Sequence, residues 1–499
     1  MTDQFLALQG PPPLPDTLED AHRVIGLLWG ELKDMASRVE KLSAEVARQA
    51  APIEELEERL KHDSSNSSKP PSQDRMKGRP DQGKRKSSGR KKGGQPGHVH
   101  NVRELAPETE MDAIERYYPE GRCGCGGQIQ PDAEPCQRHQ VFDLPEIRYI
   151  ATEYQRFAGC CDRCGRRTQA QLPDWLPTGQ MGPGLVAWIA LMSGHYRLST
   201  RCIQSLLESR WGLSFSLGAI SEAQGPVGEW LEPLHEQVGE AVRQAKVAHA
   251  DETTHYREQN RHWWWVLCTA QAAYFLIHAS RGKKAARELL GGFMGILLTD
   301  RHGGYNDCPS RLRQLCWAHI IRNLEAMAGR PGEAGALGRW LVRAARLVIR
   351  MEHAWRRSQY RSAHYRRRLE AMRRNFRAAL EQGARQHAGQ KTGAACLRLL
   401  QDEPMLWTFL GQPGIPLTNN TAERALRPYG VWRKTSFFSQ SDRGDVFRAR
   451  VLTVTETRMR LKISAYNLLR RVCEQGQRNE AITVRLPLPH APALLPAPA

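Results

Sequence analysis

Apolar residues recur with steps of three and four between residues 21 and 60: Ile25, Leu28, Leu32, Met35, Val39, Leu42 and Val46, then Ile53, Leu56 and Leu60. A stripe sustained over several heptads, with Gln49 as its polar core position, predicts a coiled coil within 1–61 and a homo-oligomer formed through it. Pro52 falls inside the run, so either the helix restarts there, where a first-turn proline is accommodated, or the later heptads pack separately. An amphipathic helix folded back on its own chain is the other reading of the stripe.

The periodicity stops at 62–105, where Ser, Pro, Gly, Lys and Arg dominate, and this predicts a basic, disordered linker that buries nothing. Eleven Lys or Arg against three Asp between Lys61 and Lys92 would let it move over phosphates by counterion release; a plain solvated tether is the alternative. Helical patterns return at 173–244. There Gly212 marks a turn and Ser216 an N-cap, as in a helix-turn-helix or any other αα-hairpin.

From 245 the pattern changes to strands: KVAHADE, RHWWWVLCT and AAYFLIHA, then the helix-like GKKAARELL, the apolar run GILLTD and the short RQLCW before a helix. Three strands, helix, strand, short helix, strand is the order of a ribonuclease-H-like sheet, with Asp251 leaving its first strand and Asp300 its fourth. Residues 320–410 read as an inserted helical subdomain. Between Arg339 and Arg377 this insertion holds thirteen Arg and two acids, Glu352 and Glu370, which points to a phosphate-facing side. Next, NNTAERALRP opens a helix closed by Pro428 with Glu423 in its first turn. The expected architecture is multidomain α/β, with the catalytic sheet and its insertion over 245–465 and a C-terminal segment, 466–499, ending in a Pro/Ala-rich tail.

Composition narrows the class. A chain of 499 residues exceeds one core and suggests about three folded units. Lys and Arg number 72 against 53 Asp and Glu, a net +19, so an extended polyanion is the expected partner. The first residues lack a basic segment followed by an apolar one, and no run of 18 apolar residues occurs; the expectation is a soluble, cytoplasmic protein without a membrane partner. Twelve cysteines without a secretory signal turn attention from disulfides to clusters. Six lie in 106–172. Cys161 and Cys164, in CDRCG, form a C-x-x-C half-site of zinc-ribbon type. Cys123 and Cys125, in CGCGG, would be its partner, but one intervening residue strains chelation of a tetrahedral ion, so Cys136, Cys160 or His139 could supply the fourth ligand. Reduced structural thiols are the competing reading.

Asp251, Asp300 and Glu423 come from separate elements, and phosphodiester attack needs carboxylates that hold two hard cations roughly 3.5–4 Å apart. Each also has a local reading: a strand-end turn, the start of the turn DRHGGYN, and a capping-box glutamate three residues after Asn420.

Several blocks resemble transposases of insertion-sequence family sixty-six nearly end to end: NSSKPPSQD, GRKKGGQPGH, CDRCG, HADET, TDRHGGY, CWAHIIR and NNTAERALRP followed by Arg433 and Lys434. The resemblance implies a DDE transposase whose catalytic acids are Asp251, Asp300 and Glu423, with magnesium or manganese as cofactor and double-stranded DNA as substrate. It also implies a zipper, a zinc module and accessory proteins of the same element. Family members usually carry a fuller C-x-x-C where this chain has CGCGG. By position, Arg424, Arg427, Arg433 and Lys434 would contact phosphates, and His319 would orient water or DNA or else be a core histidine. Rival readings are a DNA-binding regulator without catalysis and a nuclease that cuts without joining.

Overall fold

The computed structural model describes residues 17–61, 105–144, 148–173, 175–176, 179–357, 362–412 and 414–488. The linker apart from Leu105, and the tail from 489, lie outside the described residues. In chain order the elements are α1 (Leu18–Lys61), β1 (Ala158–Cys160), β2 (Arg167–Gln169), α2 (Pro183–Gly194), α3 (Thr200–Trp211), α4 (Leu217–Glu222), α5 (Gln224–Trp230) and α6 (Glu232–Arg243). Next come β3 (Val247–Arg257), β4 (Asn260–Cys268), β5 (Ala273–His278), α7 (Lys283–Leu290), β6 (Ile296–Thr299) and β7 (Arg313–Leu315). The rest is helical: α8 (Trp317–Ala328), α9 (Gly332–Arg356), α10 (Ser362–Gln386), α11 (Lys391–Leu406), α12 (Thr408–Gly411), α13 (Asn420–Ser436), α14 (Asp442–Arg460) and α15 (Ala465–Gln477). The fold is mixed α/β, mostly helical, in two compact units: Met1–Met76 with Leu315–Leu417, and Lys77–Gln314 with Thr418–Ala499. Among the described residues no helix is long and apolar enough to cross a membrane.

In the first unit α1 runs unbroken through Pro52, so the chain does not restart there. Its heptad residues from Ile25 to Val46 are 57% to 68% exposed. Further along, α8 packs on α9 and α10 packs on both α9 and α11. Trp317 meets Phe376 and Trp407 edge-on, with ring centroids 5.8 and 5.1 Å apart, and Leu341, Val348, Leu380 and Leu399 of the same unit are buried.

The second unit is built on a five-stranded sheet in the order β5-β4-β3-β6-β7. Strands β3 and β4 form a hairpin from His249↔Cys268 to Arg257↔Asn260, turning through Glu258 in the left-handed region at φ 52°. In β4, Trp264 to Cys268 are fully buried, because helices or loops cover both faces of this strand and leave no side for polar residues. Adjacent tryptophans point to opposite faces. Trp264 stacks on Tyr429 of α13 at 3.8 Å, and Trp265 meets Tyr305 edge-on at 5.8 Å. Strand β5 is the sheet's edge, and α14 covers it: Thr453 and Thr457, one helical turn apart, accept the amides of Phe275 and Ala273 at 3.0 and 3.1 Å.

Helices α3 and α4 join through Gly212 at φ 66°, and the Ser216 hydroxyl accepts the Ala219 amide at 3.1 Å. The segment that carries them shares a core with the sheet, since α2 packs on α15, and α5 and α6 pack on α14. The chain's last described stretch joins the same core, where Gln237 exchanges two hydrogen bonds with the Leu486 backbone.

Candidate active site

The ladder between β3 and β6 is parallel and ends at His249↔Leu298. Two residues further along each strand stand Asp251 and Asp300, so the register brings both carboxylates level on neighbouring chains, about 4.8 Å apart between backbones. The expectation that Asp251 ends its strand is corrected: β3 continues to Arg257 because THYR pairs with NRHW of β4. Only the partner on the Asp300 side stops, and this opens a notch beside Asp251. Asp300 opens a tight turn, its carboxylate accepting the His302 amide at 2.8 Å and its carbonyl accepting from Arg313 at 3.0 Å. The turn needs Gly304, where a Cβ would lie 2.9 Å from the His302 ring.

Glu423 comes from the first turn of α13, which packs against β3 and β4. The helix does not close at Pro428: it continues to Ser436, forgoing one intrahelical bond while Tyr429 and Trp432 remain buried beyond the proline. Nor is Glu423 set as a capping-box residue. The N-cap is Asn419, whose side chain leaves the helix end and donates to the carbonyl of Ala250 at 2.8 Å while pairing with His249 Nδ1 at 3.1 Å. Its own carbonyl accepts the amide of Glu423 at 3.2 Å. Asn419 thus ties the start of α13 to the residue preceding Asp251.

A fourth carboxylate, Glu252, lies beside these three. Arg281 grips one of its oxygens at 2.8 and 2.9 Å, and the Tyr305 hydroxyl donates to the other at 2.7 Å. Arg281 is itself placed by the face of Trp263, 4.8 Å away. Electrostatics link the cluster. Burial raises the Asp251 carboxyl well above the ordinary range, and the charges of Glu252, Asp300 and Glu423 raise it further. Burial and the charge of Asp300 raise Glu252, while Tyr305 and Arg281 oppose the shift. Carboxylates that repel one another in a half-buried notch form a donor set suited to hard divalent cations. Glu252, Arg281, Tyr305, His249 and Asn419 were missed by sequence reasoning. For four of them the signal was adjacency, since each lies inside HADET, TDRHGGY or NNTAERAL; Arg281, in the loop between β5 and α7, carried none.

The basic residues divide. Arg424, Arg427 and Lys434 are exposed on α13, whereas half-buried Arg433 turns inward to the Thr253 hydroxyl at 2.9 Å and the Thr254 carbonyl at 2.6 Å. His319 lies half-buried in α8, in the other unit.

In the cysteine region each half-site is a tight turn. Cys161 is closed by amide bonds to Arg166 and Gly165, and Cys123 by bonds to Gly127 and Gly126. Backbone amides and the paired thiol lower the thiols of Cys125 and Cys161. Among the described residues, Cys123, Cys125, Cys161 and Cys164 are not gathered within 4.8 Å, and neither Cys136, Cys160 nor His139 completes a set with them.

A mixed sheet carries carboxylates that raise one another's protonation, and a helix with exposed arginines packs against it, an arrangement suited to metal-dependent chemistry on a polyanion. The family described as Transposase IS66 family matches residues 178–446, more than half of the chain, and the chain belongs to that family. A family of unknown function, DUF6444, matches residues 10–104. The chain is also 26% identical over 288 residues to the uncharacterized protein y4qI of Sinorhizobium fredii, covering 51% of this chain and 52% of the relative. It therefore spans about half the length of that curated relative.

Proposed function

We propose that the protein is a DNA transposase of the DDE type, with a ribonuclease-H-like catalytic domain, that binds the terminal inverted repeats of its element, cuts them and joins the freed 3′-hydroxyl ends to target DNA. The observation that carries this reading is the parallel register of β3 and β6, which sets Asp251 and Asp300 level, with Glu423 on the helix that Asn419 ties to Ala250. Asp251, Asp300 and Glu423 would hold magnesium or manganese. Two such ions, when bound, activate an attacking oxygen and stabilise a leaving one.

The chain's own residues set up this chemistry. Arg313 and the His302 amide fix Asp300; Asn419 fixes Glu423 against β3; Glu252, held by Arg281 and Tyr305, keeps a further negative charge beside Asp251. Arg424, Arg427 and Lys434 would hold phosphates, and Arg433 would hold the helix that presents them. His319 is proposed to orient water or DNA. Zinc is proposed for Cys123, Cys125, Cys161 and Cys164, supported by the amide-lined turns. The exposed stripe of α1 supports a homo-oligomer, and accessory proteins of the same element would complete the machinery.

The test is strand transfer with purified protein, a labelled duplex carrying the element ends, a target plasmid and magnesium, beside Asp300→Asn. Joined products that vanish in the variant support the reading. Cleavage without joining would make it a nuclease, and binding alone would point to a regulator or to a missing accessory protein.

A further inference from the structure

The long helix α9 has two faces. Leu341, Val342, Ala345, Val348 and Met351 are buried, whereas Arg339, Arg343, Arg346, Arg350, His353 and, at the C-cap, Arg357 are exposed. Those six positions are spaced 4, 3, 4, 3 and 4. At 100° per residue they fall within an arc of about 80°, and at 1.5 Å rise they run for about 27 Å. Among the described residues one carboxylate pairs with this row, Glu325 with Arg346, and Arg339 is engaged by a carbonyl, that of Ala328, at 3.4 Å. Like charges at these spacings repel along a helix. A solubility face ordinarily interleaves acids at the same spacings, and this face has none.

We propose that the exposed face of α9 is a phosphate-tracking surface for duplex DNA. This rests on the reading of the protein as a DNA-processing enzyme and adds a second contact region, in the unit that does not carry Asp251. A straight row of about 27 Å spans about eight base pairs of duplex at a rise of roughly 3.4 Å each along the axis. Guanidinium groups suit bidentate phosphate contacts, and contacts to phosphate fix a protein on the duplex without reading its sequence. It would hold flanking or target DNA, whose sequence varies.

The experiment measures binding of the full chain to a labelled duplex of arbitrary sequence as salt is varied. The combined variant Arg343→Gln, Arg350→Gln and Arg357→Gln removes three charges that make no ion pair among the described residues. Each phosphate contact contributes about 0.9 to the slope of log K against log salt, so the slope falls by about 2.7. Between about 50 and about 200 mM salt, wild type then loses about 40-fold more affinity than the variant. The matched Arg→Lys triple restores the slope, and Asp300→Asn retains it in full. A wild-type slope that the Gln triple leaves unchanged overturns the proposal while sparing the function. If duplex RNA shows the stripe-dependent slope and DNA does not, the assignment to DNA is wrong. Full stripe-dependent binding with no joined products, even when the element's accessory proteins are supplied, would instead refute the transposase reading and leave this surface intact.

Discussion

Replacing Asn419 with Ala tests the link between α13 and β3. Asn419 is fully buried, and its amide satisfies the Ala250 carbonyl and a ring nitrogen of His249, the residues that precede Asp251. Truncation removes both bonds and strands both partners away from water. An unsatisfied buried polar group costs about 1–3 kcal/mol, so the two together cost about 3 kcal/mol. The loss is local, at the seam that sets Glu423 against Asp251, and hydrogen exchange read peptide by peptide is the fitting assay. Where exchange follows rapid local opening, 3 kcal/mol corresponds to roughly 150-fold faster exchange in peptides covering β3 and the start of α13. Peptides from α9 should be unchanged. Asn420→Ala, one residue on and exposed, provides the control and should alter exchange less than about threefold, within the usual range of surface substitutions. If Asn419→Ala and Asn420→Ala behave alike, or if the loss at β3 is under about threefold, Asn419 is not the clamp argued for here. Joined products should fall with Asn419→Ala even in protein that remains folded.

Three further outcomes follow from other contacts. Tyr305→Phe removes the hydroxyl that holds Glu252 and should cost about 1–2 kcal/mol, read as a lower urea midpoint with an unchanged slope; no shift in midpoint would mean that this bond carries nothing. Burial lowers His235 to about 4, its ring nitrogen facing the Phe275 carbonyl at 2.9 Å, so neutral His235 favours the folded state. Its contribution is complete above the unfolded value of about 6.5 and is lost as pH falls toward 4, by at most about 3 kcal/mol; His235→Gln should flatten that part of the stability profile, and an identical acid limb would count against it. Leu32→Asp with Val39→Asp, on the exposed stripe of α1, should lower the mass measured by sedimentation, whereas an unchanged mass would show that the stripe is not the oligomer contact.

Continuous apolar runs made much of the sheet legible. WWVLC and ILLT are buried on both faces, so each reads as a strand without alternation, and the acid following ILLT marks the notch. Where polar residues pair with other polar residues the reading failed: THYR resembles a turn, yet NRHW lies across from it. Pro428 read as a stop because a proline forgoes a hydrogen bond, but the stacking of Tyr429 on Trp264 outweighs that loss, and tertiary packing of this kind carries no local signature. The same limit explains the missed members of the site. Asn419 and Ala250 are 169 residues apart, Tyr305 and Glu252 are 53 apart, and Arg433 spends its guanidinium on strand atoms about 180 residues away. Read locally, Asn419 is a helix cap, Tyr305 a loop aromatic and Arg433 a free cation. An acid's chemistry shows in its residue type and in the element it ends, whereas the groups that hold it are identifiable only once the fold brings distant polar residues into the same buried notch.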